Sequence, residues 1–147
     1  MKIEYRKGNL FETELKVILH GCNDMGVRGS GVAKIVRENY PEAYEKYMQV
    51  YEKEGLAGGI IIPAFSNGKV IVNAISQHGY GRNGQRFVNY EWIASIFAKL
   101  NVYCSVNAET HIAMPQIGAG LGGGSWEVIS AIIESEAKSY TPVVYIL

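Results

Sequence analysis

Apolar residues fall in short blocks along this chain, and the spacing within the blocks switches between two periods. Met1 to Arg6 alternates apolar and charged residues, the period of a half-buried strand. Lys7-Gly8-Asn9-Leu10 reads as a turn, because glycine and asparagine tolerate left-handed dihedrals. Leu15 to His20 predicts a second strand, buried at Val17, Ile18 and Leu19. A helix through Ile35, Val36 and Asn39 stops at Tyr40, since the residue before a proline avoids the helical region. Pro41 then suits the first turn of a helix carrying Ala43, Tyr44, Tyr47, Met48 and Tyr51. Gly55 to Gly59 ends it. Ile60 to Pro63 and Lys69 to Ile75 predict strands joined at Ser66-Asn67-Gly68. Val88, Tyr90, Trp92, Ile93, Ile96, Phe97 and Leu100 follow at helical spacing. Thr110 to Gln116 is a strand, a helix runs from Trp126 to Ser139, and Pro142 to Leu147 is a last buried strand.

Strands alternating with helices predict an α/β domain, helices covering both faces of a largely parallel sheet of about six strands. In such sheets ligands collect beyond the carboxyl ends of the strands. The loops after His20, Ile75 and Gln116 should therefore converge on one crevice. No internal repeat, low-complexity segment or linker interrupts the 147 residues, so the expectation is a single domain over residues 1–147. Lysine plus arginine equals aspartate plus glutamate at 14 each, so no bulk field draws the molecule to nucleic acid or acidic lipid. Two cysteines, Cys22 and Cys104, are too few for a disulfide framework and suit a reducing compartment. Met1 to Tyr5 has no apolar signal core, and no run reaches membrane-spanning length. A soluble, cytoplasmic monomer is expected.

Ile117-Gly118-Ala119-Gly120-Leu121-Gly122-Gly123-Gly124 lies between the strand ending at Gln116 and the helix opening at Trp126. A strand, a glycine loop and a helix together make an anion cradle: glycine lets a ligand approach bare N–H groups, and the helix adds its positive end. Ser125 is placed to cap that helix. The alternative is a plain turn, which needs one or two glycines rather than five. Gly118 to Gly123 satisfies G-x-G-x-x-G, yet the next strand carries no carboxylate for a ribose, which argues against a dinucleotide-binding unit. No Gly-Lys-Ser/Thr occurs anywhere, so the P-loop is excluded. A second glycine loop, Gly29-Ser30-Gly31, also joins a strand to a helix, and two cradles suit a diphosphate.

The combination resembles the macrodomain family, which binds ADP-ribose. Gly8-Asn9-Leu10 is similar to the family's Gly-Asp-Leu/Ile turn, and His20-Gly21-Cys22-Asn23 to its Asn-Ala-Ala-Asn segment. Gly29 to Ala33 resembles its first phosphate loop, and Ile117 to Gly120 its second. The branch most resembled is the compact macrodomains that process ADP-ribose-1''-phosphate, related to the terminal ADP-ribose glycohydrolases. The Tyr40-Pro41 pair and the closing Val144-Tyr145-Ile146-Leu147 are similar to features of that branch.

The resemblance implies a three-layer α/β/α fold and assigns roles. Asn9, followed by Leu10, would meet adenine, accepting its amino hydrogen without the charge of the usual aspartate. Asn23 would hold the distal ribose. Gly29, Ser30, Gly31 and Val32, with Ile117, Gly118, Ala119, Gly120, Leu121 and Gly122, would bind the diphosphate. Tyr145 is either an adenine neighbour or plain core. His20 has two readings: a strand-end histidine bonded to backbone, or a general acid–base beside the distal ribose. Asp24, the chain's sole aspartate, either positions water or is a solvated loop acid. Arg82 and Arg86 either contact a terminal phosphate or face solvent. His78 and His111 have no metal-spaced partners and receive no catalytic role; no metal or cofactor is implied.

Two departures bear on activity. The glycohydrolase branch uses a lysine after the Ile75-type strand and an aspartate in the second glycine loop. Residues 76–89 contain no lysine here, and the aspartate position is Gly122. The implied activity is hydrolysis of ADP-ribose-1''-phosphate to ADP-ribose and phosphate, with His20 as the acid–base. A non-catalytic ADP-ribose reader, or removal of ADP-ribose from proteins or nucleic acid by water attack, are the alternatives.

Overall fold

A computed structural model describes residues 1–27, 31–79, 87–120 and 122–147. Six strands, β1 (Glu4–Lys7), β2 (Val17–Asn23), β3 (Ile61–Ser66), β4 (Lys69–Gln77), β5 (His111–Met114) and β6 (Thr141–Ile146), form one sheet in the order β1-β6-β5-β2-β4-β3. Neighbours are parallel throughout, with β3 antiparallel to β4 at the edge. That hairpin follows from its loop. Asn67 and Gly68 both have left-handed dihedrals, φ 48° and 78°, the conformation that matches strand twist in a two-residue connection.

Helices α1 (Gly31–Asn39) and α2 (Pro41–Glu54) cover one face, where Val36, Ala43 and Tyr47 pack on Ile18, Ile71, Ala113, Cys22 and Ile75. Helices α3 (Tyr90–Asn107) and α4 (Trp126–Glu136) cover the other, where Ile93, Phe97, Ile129 and Ile133 meet Val17, Leu19, Val72 and Met114. The three layers match the expected fold. Pro41 opens α2 as its spacing predicts, with Tyr40 non-helical at φ −132° before it. Asn89 caps α3, its Oδ1 accepting from the N–H groups of Glu91 and Trp92. That helix continues past Leu100 to Asn107, because Cys104, one turn on, extends its buried stripe into the core while Val102 and Val106 stay exposed.

β2 also outruns its expected end at His20 and continues to Asn23. Gly21 lies within the strand rather than opening a loop. A Cβ there would stand 2.6 Å from Ser76 Oγ and 3.0 Å from Ile117 Cγ1, so glycine serves close packing at that point. Among the described residues no helix is long and apolar enough to cross a membrane.

Candidate functional site

Five parallel strands point one way, so the segments leaving β2, β4 and β5 emerge at one edge, with β2 between the other two. Hydrogen bonds tie the three exits together. Asp24, after β2, accepts from Nδ1 of His78 at 2.7 Å and from the Gly79 N–H at 3.1 Å, both just beyond β4. The loop after β5 is tied to the same place: the Phe87 and Val88 N–H groups donate to Gly122 O at 2.7 and 3.0 Å, and His78 N–H donates to Phe87 O. Ile117, 2 % exposed, packs over Gly21.

The loop after β5 is shaped by its glycines. Gly118 and Gly123 have φ of 79° and 71°, and Gly118 O accepts from Gly124 N–H at 2.9 Å. Space sets two further positions: a Cβ at Gly122 would lie 2.7 Å from Gly118 O, and one at Gly124 would lie 2.5 Å from Val88. Gly120 faces open space. The N–H groups of Ile117, Ala119, Gly123 and Gly124 donate within the loop, whereas those of Gly118, Gly120 and Gly122 have no acceptor among the described residues. Backbone donors left open are costly unless water or a ligand takes them, and here they are grouped before a helix whose Ser125 cap accepts from Val128 N–H. On the first loop's side, Gly31 opens α1 at φ 62° with free space where a side chain would be. Gly29, Ser30, Leu121, Arg82 and Arg86 lie outside the described residues.

At the other end of this edge, Asn9 is exposed and its Oδ1 accepts from Phe11 N–H at 2.9 Å. Leu10 is buried with Ile18, Val36 and Tyr40, and Phe11, Val32 and Tyr145 pack against the same cluster. The Phe11 and Tyr40 rings sit 6.0 Å apart. Tyr145 hydroxyl bonds Thr13 Oγ1 at 2.6 Å and accepts from Arg6 at 3.1 Å, so it is partly structural. Hydrogen bonds with Glu4, Glu14 and Tyr145 raise the affinity of Arg6 for its proton still further. Of the residues expected around adenine, Leu10 and Tyr145 share one cluster, with exposed Asn9 adjoining Leu10 in the chain.

Two expectations need correction. The His20 imidazole is buried within the protein rather than open at the carboxyl edge of the sheet. It is 1 % exposed, and its Nε2 bonds Oδ1 of Asn73 at 2.9 Å. Asn73 in turn donates to the carbonyls of Ala43 and Ile62, so His20 belongs to a buried polar group beneath α2. The physical reason is alternation: His20 shares the face of Ile18 and Cys22, which packs on the α1–α2 layer. Asn23 is 8 % exposed and its amide holds the chain: Oδ1 accepts from Met25 and Val27 N–H and from Tyr47 hydroxyl, while Nδ2 donates to Val27 O. It fixes the path of residues 24–27 instead of projecting into open space.

His78, which has no metal-spaced partner in the sequence, joins Asp24 at this edge. Its side chain is 78 % exposed, while that of Asp24 is 14 % exposed. The signal lies in strand register: Asn23 stands opposite Gln77, which places the next residues, Asp24 and His78, across from one another. Among the described residues no cluster of three or more histidine, cysteine, aspartate or glutamate side chains forms a metal site.

A family model described as Macro domain matches residues 19–133, from within β2 to within α4. The chain belongs to the Macro domain family. It is similar to an ADP-ribose 1''-phosphate phosphatase of Saccharomyces cerevisiae, at 26 % identity with 97 % of each chain covered. It is also similar to ADP-ribose glycohydrolase OARD1 of Bos taurus, at 27 % identity over 99 % of this chain and 92 % of that protein. The macrodomain of Thermus aquaticus DarG shares its fold, with a TM-score of 0.82 at 22 % identity over 99 % of this chain and 98 % of that one. This macrodomain is thus related both to ADP-ribose-1''-phosphate phosphatases and to ADP-ribose glycohydrolases.

Proposed function

We propose that this macrodomain binds ADP-ribose at the carboxyl edge of the sheet and hydrolyses ADP-ribose-1''-phosphate to ADP-ribose and inorganic phosphate. The observation that carries the reading is the set of N–H groups at Gly118, Gly120 and Gly122 that have no acceptor among the described residues, in a loop tied by hydrogen bonds to the exit of β4. A pyrophosphate oxygen satisfies such donors without requiring net positive charge on the molecule. In this reading Asn9, Leu10 and Tyr145 flank adenine, and Val32 joins the first phosphate loop. Gly29 to Gly31 and Ile117 to Gly122 hold the diphosphate, and Asn23 acts by fixing the loop that carries Asp24. Arg82 and Arg86 would contact the terminal phosphate in the same reading.

Between the two activities of the relatives, the local structure favours the phosphatase. Gln77 ends β4 where the glycohydrolase branch places its lysine nearby, and it keeps its amide on Gly79 O at 3.1 Å. At Gly122 a Cβ would meet Gly118 O at 2.7 Å and Gln77 Oε1 at 3.1 Å, which leaves no room for the aspartate of that branch without moving backbone. Covalent lysine chemistry on protein-linked ADP-ribose has neither of its parts here. The test compares three substrates under one set of conditions: ADP-ribose-1''-phosphate with phosphate detection, ADP-ribosylated glutamate peptide, and ADP-ribosylated thymidine in DNA. Phosphate release with the other two intact supports the reading. Saturable ADP-ribose binding with no turnover of any substrate leaves a reader in its place.

A further inference from the structure

We infer that His78, oriented by Asp24, is the general acid that protonates the departing sugar oxygen. The inference rests on the phosphatase reading and deepens it by naming the group that acts at the scissile bond. The two side chains are unequal in a way that suits catalysis. Asp24 is nearly covered, and each of its oxygens accepts one hydrogen bond, from His78 Nδ1 and from Gly79 N–H. That bond assigns the Nδ1 proton to the side of the carboxylate and turns Nε2 away from it. Nε2 has no partner among the described residues, and the ring is 78 % exposed at the crevice edge. As a staple between two loops, such an exposed ion pair contributes little to stability. As a carboxylate-oriented imidazole it is the usual arrangement for proton transfer.

Position supports the same assignment. His78 N–H donates to Phe87 O, and Phe87 N–H donates to Gly122 O, so the imidazole is carried two hydrogen bonds from the glycine loop assigned to the diphosphate. Asp24 directly follows Asn23, the end of β2. A sugar extending from the diphosphate past Gln77 brings its anomeric oxygen toward this pair. Water oxygen bonds to phosphorus, the bond between phosphorus and the anomeric oxygen breaks, and its electron pair stays on that oxygen. Nε2–H of the imidazolium supplies the proton there. The attacking water releases a proton to solvent, and solvent returns one to Nε2. The sum is one water consumed, with ADP-ribose and phosphate formed. His78 is the catalytic residue, and Asp24 is a positioning residue.

The test measures phosphate release from ADP-ribose-1''-phosphate by wild type, His78→Ala, His78→Gln and Asp24→Asn, with thermal unfolding and ADP-ribose calorimetry on each. The expected result is a kcat about 100-fold or more lower in both His78 variants, with KM and ADP-ribose affinity within about threefold of wild type. Added imidazole restores part of the rate to His78→Ala and none to Asp24→Asn, whose own kcat falls about tenfold. A kcat that survives in His78→Ala overturns the inference while leaving the phosphatase reading standing. So does a loss confined to KM, affinity and melting temperature without imidazole rescue, which marks a loop staple. Absence of phosphate release by wild type overturns both.

Discussion

Replacing Gly122 with alanine puts a methyl carbon 2.7 Å from the Gly118 carbonyl oxygen and 3.1 Å from Gln77 Oε1. The Gln77 amide swings away at little cost. The carbonyl is backbone, and it already accepts the Gly124 N–H at 2.9 Å. Relief therefore strains or breaks a bond inside the loop, a loss of about 1 kcal/mol, on top of about 1 kcal/mol or more of overpacking. A total near 2 kcal/mol corresponds to a fall in melting temperature of roughly 6 °C for a chain of this length. Because Gly122 O also accepts from Phe87 and Val88, the shift carries into the β4 exit, and ADP-ribose affinity should fall about tenfold or more. Gly120→Ala is the matched control. No described residue outside its chain neighbours lies within 4 Å of its added methyl, so stability stays within about 0.5 kcal/mol of wild type. In the proposed reading the methyl stands on the loop that meets the diphosphate, and affinity drops. Calorimetric unfolding and ADP-ribose titration of the two variants read out both effects. Gly122→Ala melting within about 1 °C of wild type, with unchanged affinity, refutes the loop geometry and the role assigned to it.

Removing the Asn89 cap by Asn89→Ala orphans the Glu91 and Trp92 N–H groups at the start of α3 and should cost about 1 kcal/mol in urea unfolding with an unchanged slope. His20→Ala empties a buried site and removes the hydrogen bond to Asn73 Oδ1, so stability should fall about 3 kcal/mol while kcat of the folded fraction changes less than in His78→Ala. Burial pushes the Cys104 thiol up to about 11 from an ordinary 9.0. The native thiol should therefore resist alkylation at pH 8 while the unfolded chain reacts. Because the folded value is the higher one, this contribution to stability is complete below about pH 9 and is lost as pH rises toward 11, which urea midpoints across that range will follow. Tyr140, buried and donating to Phe97 O, is raised as well and acts in the same direction at still higher pH.

Elements with local signals were legible in the amino-acid sequence. Asn67-Gly68 specified its hairpin through dihedrals, Pro41 specified a helix start, and Ser125 specified a cap that accepts from Val128 N–H. The glycine loop after β5 was visible by composition alone. What could not be read were directions within buried strands. β2 is buried along both faces, so no polar alternation tells which layer His20 enters, and a histidine at a strand end reads as a site residue. Gly21 misled for a related reason: glycine that permits close packing looks in sequence like glycine that opens a turn. The pairing of Asp24 with His78 spans 54 residues and depends on the register between β2 and β4, which no local pattern encodes.

The most direct trial of the account is titration of ADP-ribose into the wild-type protein by isothermal calorimetry, with Gly120→Ala beside it. The prediction is a saturable one-to-one isotherm for wild type and a weaker one for the variant, whose fold is unchanged. A flat wild-type trace would mean that the open donors at Gly118, Gly120 and Gly122 do not receive a diphosphate, and the proposed function would fall with them.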